Sequence, residues 1–288
     1  MKIVLIANCH VQPLAAGLLL SEDVEEVICV PLHLIGTPHF DNPVTKINNS
    51  TDNYAVLQFP NSLEKIDFHK NTLRRFDLVK SFTNIYFDGL HPDMAYFGGM
   101  GQRIISPLGD YHSKICLAAF AKSYSVADCK KLFNGESYSK LGFYDSWMKS
   151  EEELLRRDEV IDIKFAREFI GLSRENITLF TFNHPLPIVF AYLLKHLYSA
   201  VGLAPLNLPH EFFYNFLSSN AWWPVYDEIG RVNSIKYRTP QIFKSPDNQG
   251  GKVMNLEDFI SNSYISYAKI KGIEDSIKLE FQNIVECI

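Results

Sequence analysis

Met1-Lys2-Ile3-Val4-Leu5-Ile6-Ala7-Asn8-Cys9-His10-Val11-Gln12-Pro13 opens the chain and decides how the rest is read. Ile3 to Ala7 is a short, continuous, β-branched apolar run, the signature of a strand buried on both faces of a parallel sheet. The run stops at Asn8-Cys9-His10. Gln12 to Leu20 then has the composition of a helix, with Pro13 tolerated in its first turn. Asn8, Cys9 and His10 therefore belong at the carboxyl end of a central strand, facing a helix N-terminus. In open α/β sheets ligands bind there. A thiol in that position has its thiolate favoured by the helix dipole, and Asn8 supplies an amide for an oxyanion.

Working outward, Glu26 to Pro31 reads as a second strand, with Cys29 in its core face. Residues 33–53 read as an irregular surface loop carrying His33 and His39. Tyr54 to Phe59 is a third strand. Leu63, Ile66, Leu73 and Phe76 have helical spacing over 62–76, with His69 on the solvated face. Asn84 to Phe87 reads as a fourth strand, ending in Asp88-Gly89-Leu90-His91-Pro92-Asp93. Gly98-Gly99-Met100-Gly101 is glycine-rich but lacks the spacing of a nucleotide-binding loop. Ile115 to Tyr124 is an apolar helix with Cys116 inside it, and a further helix opens at Ser125. Beyond Gly135 the chain turns helical, with charged amphipathic helices at 151–157 and 162–170. One more strand is expected at 177–182, followed by Asn183-His184-Pro185 and a long apolar helix. The remainder, including 209–217 and 256–286, reads as mostly helical. The expected fold is an open, mostly parallel α/β sheet flanked by helices. An α/β lobe over 1–135 carries the site, and a mainly helical region over 136–288 adds the strand 177–182 to the sheet.

Composition narrows the function. With 288 residues, 47% of them hydrophobic, the chain is long enough for a large core. The net charge of -5 and the lack of a basic block argue against a nucleic-acid partner. No stretch approaches the ~20 apolar residues of a membrane span, and the N-terminus does not read as a signal peptide. Five cysteines without paired spacing are neither a disulfide framework nor a metal knuckle, so reduced thiols and a cytoplasmic location are expected.

The chemistry concentrates in four polar clusters: Asn8-Cys9-His10, Asp88 to Asp93, Tyr111-His112-Ser113 and Asn183-His184-Pro185. Each follows a strand or opens a helix, so they are expected to converge on one rim. Nucleophile, base and orienting group are then available as Cys9, His91 and Asp88. No metal site is expected, because the histidine spacing matches no zinc pattern.

The cysteine just after the first strand and the Asp88-x-x-His91 block give a distant likeness to SGNH hydrolases, although that family carries its block near the C-terminus. The chain more closely resembles the WcbI family of capsular polysaccharide biosynthesis proteins. It does so at Ile6 to Gln12, Phe87 to Asp93, Asp110 to Ser113 and Phe182 to Pro185. His10 stands where that family's pattern has glutamine. The resemblance implies a coenzyme A-dependent acetyltransferase that uses acetyl-coenzyme A and a carbohydrate acceptor, working beside other capsule enzymes. Under it, Cys9, His91, Asp88 and Asn8 are the catalytic candidates. His10, Gln12, Arg103, Tyr111, His112, Ser113, Lys114, Asn183 and His184 are the coenzyme A-binding candidates, with Arg103 and Lys114 meeting the phosphates. The competing readings are an SGNH-like or thiol esterase that removes acyl groups from a carbohydrate, and a non-catalytic coenzyme A- or sugar-binding protein.

Overall fold

The computed structural model describes residues 1–99 and 102–288, so Met100 and Gly101 of the glycine-rich turn lie outside the described residues. The chain divides into two compact units, each assembled from three separate segments. The first comprises 1–86, 152–172 and 184–216; the second comprises 87–151, 173–183 and 217–288. The boundary expected near residue 135 does not coincide with this division.

The first unit is built on four parallel strands, β1 (Lys2–Ala7), β2 (Glu26–Pro31), β3 (Tyr54–Gln58) and β4 (Phe76–Ser81), in the spatial order β2-β1-β3-β4. Ile3 to Ala7 are wholly buried, as the unbroken apolar run requires. Burying each of Val4, Leu5 and Ile6 contributes about 1.5–3 kcal/mol over leaving it exposed. The first connection runs to one side of β1 and the next crosses back to its other side. The topological switch point therefore lies between the carboxyl ends of β1 and β3. Helix α1 (Val11–Leu18) follows β1 directly. Gly17 lets it lie against the later helix Pro187–Ala200, since a Cβ there would meet a Leu194 methyl carbon at 2.1 Å.

Three local expectations are corrected here. Residues 33–53 are not a loop: helix α2 spans Pro38–Asn49. Phe40 and Ile47, two turns apart, seat it on a core with Val30 and Val56. Its prolines and asparagines resemble loop punctuation. The helix over 62–76 is also absent. It is replaced by a short 3-10 turn at Leu63–Lys65, a single turn of helix at Lys70–Leu73 and the start of β4. The fourth strand is β4, not Asn84 to Phe87. Its half-exposed, alternating residues suit a sheet edge, and pairing with β3 satisfies backbone groups that β3 would otherwise leave open.

The second unit has its own core, in which Phe97, Ile115, Leu117, Trp223, Phe243 and Phe259 pack together. The strand expected at 177–182 is Leu179–Thr181 and does not join the four-stranded sheet. Phe180 accepts the Trp223 N–H at 2.8 Å, and Phe182 accepts the Phe87 N–H at 2.7 Å, so this segment serves the second unit instead. Helices Leu256–Tyr267, Ile273–Glu280 and Gln282–Cys287 fulfil the helical reading of the last stretch. Between 209 and 217 there is only a 3-10 turn, His210–Phe212. Among the described residues no helix is long and apolar enough to cross a membrane.

Candidate functional site

In the first unit the turn after β1 is held by Asn8. Its Oδ1 accepts the His10 N–H at 3.1 Å, and its carbonyl accepts the Val11 N–H at 3.2 Å. The Cys9 thiol lies 3.7 Å from the same Oδ1. His10 is the N-cap residue of α1, without a side-chain cap bond, and its ring is wholly buried. That ring stands edge-on to Phe59 and Phe190, each at 5.5 Å between centroids. Phe59 immediately follows β3 and donates its N–H to the Ile6 carbonyl at 2.9 Å. The imidazole of His10 therefore sits at the carboxyl ends of β1 and β3, the switch point of the sheet.

Two more histidines belong to this rim. His184 is buried, and its pKa is lowered to about 3 by burial first and then by the charges of His10 and His33. His33 lies in the 3-10 turn directly after β2. The parallel register sets Ala7 beside Pro31, so His33 flanks the same turn. His33 is exposed, as the sequence reading had it, and its place two residues past a sheet strand sets it beside the turn. Gln12 is exposed on α1.

Cys9 is half-buried, and burial pushes its thiol up to about 12, with a backbone hydrogen bond opposing the shift. The expectation of a resting thiolate is thus corrected. The thiol faces an amide oxygen, an acceptor that favours S–H, and desolvation outweighs the helix dipole. Burial and the facing amide oxygen both favour the thiol form of Cys9, so its use as a nucleophile calls for a base.

The second unit holds the remaining candidates. Asp88 opens a 3-10 turn, and its carbonyl accepts the His91 N–H at 2.9 Å. The expected carboxylate–imidazole pair is not formed. The Asp88 carboxylate takes the Ser150 hydroxyl, and neither buried ring nitrogen of His91 bonds to it. The three-residue spacing places Asp88 and His91 on a turn that joins their main chains and not their side chains. Burial lowers the His91 pKa to about 3, with the main chain of Trp223 opposing the shift.

The carboxylate that organises this region is Asp93, which the sequence reading quoted but did not select. It is fully buried and accepts the Ile115 N–H and the Tyr226 hydroxyl, each at 2.9 Å. Burial raises its pKa, and the Ser113 hydroxyl opposes the shift by bonding to it. Ser113 also caps the helix Lys114–Ala121 by accepting the Cys116 N–H at 3.0 Å.

Tyr111, His112 and Ser113 form a strand antiparallel to Met94–Tyr96. His112 is wholly buried, with Nδ1 at 3.1 Å from the Tyr267 hydroxyl and Nε2 at 2.8 Å from the Ile104 carbonyl. Both nitrogens are occupied by the core, so the ring has none to offer a ligand. Tyr111 donates to Asn183 Oδ1 at 2.7 Å, and Asn183 donates to the Tyr96 hydroxyl at 3.2 Å. The two phosphate candidates differ. Lys114 donates to the Pro92 carbonyl at 2.6 Å, and burial lowers its pKa. Arg103 lies 4.3 Å over the Tyr96 ring and donates to the Gly98 carbonyl. Among the described residues no group of three or more histidine, cysteine or acidic side chains is placed to hold a metal ion.

The chain is similar to known proteins in sequence and in fold. The profile of a family described as "Polysaccharide biosynthesis enzyme WcbI" matches residues 2–206. No curated protein matches. A solved structure of a WcbI protein, described as a novel polysaccharide biosynthesis enzyme, superposes with a TM-score of 0.74 at 12% identity, covering 99% of this chain and 94% of that one. It is described as the native protein without a disulfide bond between coenzyme A and one of its cysteines.

Proposed function

The chain belongs to the WcbI family of polysaccharide biosynthesis enzymes, and from that premise we propose that it is a coenzyme A-dependent acetyltransferase acting on a sugar hydroxyl during capsule assembly in the cytoplasm. One observation carries the reading. A half-buried thiol stands in the turn after β1, at the switch point, beside a buried histidine and an uncapped helix start. The description of the WcbI relative names coenzyme A and a cysteine as the pair between which that structure has no disulfide, and a pairing worth naming supports placing the thiol end of acetyl-coenzyme A against Cys9. In the first turn of α1 the Val11 N–H is taken by the Asn8 carbonyl and Pro13 carries no N–H, so the Gln12 N–H is the donor that suits an oxygen of such a ligand.

His184 is assigned as the base, in preference to the His91 expected from sequence. It belongs to the same unit as Cys9 and lies close enough to His10, the residue after Cys9, to interact with it electrostatically. It takes the Cys9 proton as the sulfur bonds to the acetyl carbon, and it returns that proton to the departing thiol. It then takes the proton of the sugar hydroxyl while the new ester forms, and the Cys9 sulfur leaves as a thiol. Asn8, with Oδ1 engaged by the turn, retains its Nδ2 donor for the oxyanion of each step.

The test starts with mass spectrometry of ligand released from the purified protein and turnover of acetyl-coenzyme A with sugar acceptors. Turnover separates the transferase from a non-catalytic binder, and dependence on acetyl-coenzyme A separates it from an esterase. Cys9→Ser is expected to keep coenzyme A binding and to lose roughly a hundredfold or more in transfer, since a serine hydroxyl needs far stronger activation. Full activity in that variant would overturn the nucleophile role and leave His184 deprotonating the sugar directly.

A further inference from the structure

The second unit carries a cleft of about 280 Å³ that none of the proposed chemistry uses. One wall is the end of the helix Leu256–Tyr267 and the residues just after it. There Asn262, Ile265, Ser266 and Lys269 follow at the spacing that puts side chains on one helical face. The opposite wall is the hairpin in which Phe243–Lys244 pairs with Val253–Met254, bringing Gln249 and Lys252 to the cleft. Lys252 is fixed at the backbone: its N–H donates to the Ser245 hydroxyl at 2.7 Å, and its carbonyl accepts the Ser245 N–H at 2.9 Å.

Charge sets this cleft apart. Its lining includes two lysines and no carboxylate, in a chain whose net charge is -5. Two further clefts, of about 350 and 210 Å³, mix both signs: Asp158, Glu159 and Glu168 with Lys164 and Arg167 in one, Asp227 with Arg231, Lys236 and Arg238 in the other. Asp247, in the same hairpin, is paired with Lys244. Lys252 and Lys269 are both exposed and enter no ion pair among the described residues. The remaining chemistry suits a sugar. Asn262 Nδ2 donates to the Asp258 carbonyl, which leaves Oδ1 as an acceptor for a hydroxyl. Ile265 is 57% exposed and offers an apolar surface to a pyranose face.

We propose that this cleft binds an anionic saccharide, a sugar ring bearing a carboxylate or a phosphate, with Lys252 and Lys269 on the charge and Asn262 and Ile265 on the ring. The inference goes beyond acetyl transfer. It needs no coenzyme A, and binding is read without turnover, so failure of either idea leaves the other standing.

The test is calorimetric titration of the full-length protein with tri-galacturonate, glucose 6-phosphate, maltotriose and inorganic phosphate. At least one of the first two should bind at least roughly tenfold tighter than maltotriose and than phosphate alone. Whichever wins names the charged group. The exposed double variant Lys252→Gln/Lys269→Gln, checked for an unchanged melting temperature, should lose about tenfold or more for the winning ligand. Asn262→Ala should weaken the saccharide and leave inorganic phosphate unaffected. No binding by either charged saccharide, equal binding of maltotriose, phosphate binding as tightly as the saccharides, or an unchanged double variant would each overturn the proposal.

Discussion

In the first unit a strand ends at Ala7, an Asn8-Cys9-His10 turn follows, and a helix begins at Val11. In the second, a strand ends at Ser113 and a helix begins at once at Lys114, with Cys116 in its first turn. Both are strand-to-helix junctions with a cysteine and a buried histidine close by. In the second, the polar groups are used up by the fold: Asp93 ties Ile115 to Tyr226, His112 bridges Ile104 and Tyr267, and Cys116 is wholly buried. In the first, one asparagine holds the turn and the thiol remains half-buried. A polar cluster whose hydrogen bonds close among themselves is scaffold, and one that leaves a reactive atom at a sheet switch point is a site.

Acid should strain both junctions and gives the largest effect. The folded pKa values of His91 and His184 are lowered to about 3 and that of His112 to about 4, against 6.5 for the free side chain. The unfolded chain therefore binds protons that the folded chain refuses. Stability should be complete above pH 6.5 and fall below it, with each histidine contributing up to about 1.4 kcal/mol per pH unit. Asp93, whose folded pKa is raised, acts in the opposite direction. Melting temperature should drop steadily from pH 7 to pH 5; a flat profile would contradict the buried neutral rings. His112→Gln and His184→Gln should each make the slope shallower.

Asp93→Ala should cost about 3 kcal/mol in urea unfolding, since it strands the Tyr226 hydroxyl and the Ile115 N–H in the core. Asn8→Ala should cost only about 1 kcal/mol, the usual value for a lost turn or cap bond. Equal losses at the two positions would erase the distinction between scaffold and site. The smallest signal is thiol labelling. Iodoacetamide should modify Cys9 before the wholly buried Cys116, slowly at neutral pH. The rate should rise about tenfold per pH unit toward pH 11, because the thiol sits at about 12. Rapid labelling at pH 7 would show a thiolate already formed, and bound coenzyme A should slow the reaction at any pH.

The sequence was most legible where structure is local. Unbroken apolar runs located β1, β2 and β3, and the polar stop after Ala7 located the turn that carries Cys9. It was least legible where a segment's state depends on its neighbours. Phe76–Ser81 has no unbroken apolar run, being interrupted by Asp77 and Lys80, and the open edge of β3 recruits it. Pro38–Asn49 looks like a loop until Phe40 and Ile47 find the sheet.

The same division governs the site residues. Order, spacing and residue type alone determined that a thiol follows the first strand of a parallel sheet, and the short motifs from Ile6 to Pro185 pointed to the family. Only the tertiary structure decided which polar side chains remain chemically available. Asp88 and His91 are three residues apart yet do not bond through their side chains, whereas Asp93 meets Tyr226 and His112 meets Tyr267 from far along the chain. A hydrogen bond needs donor and acceptor within about 3 Å in a defined direction. Periodicity fixes such directions only within one element, so the partner of a buried group is chosen by packing between elements that the sequence does not record.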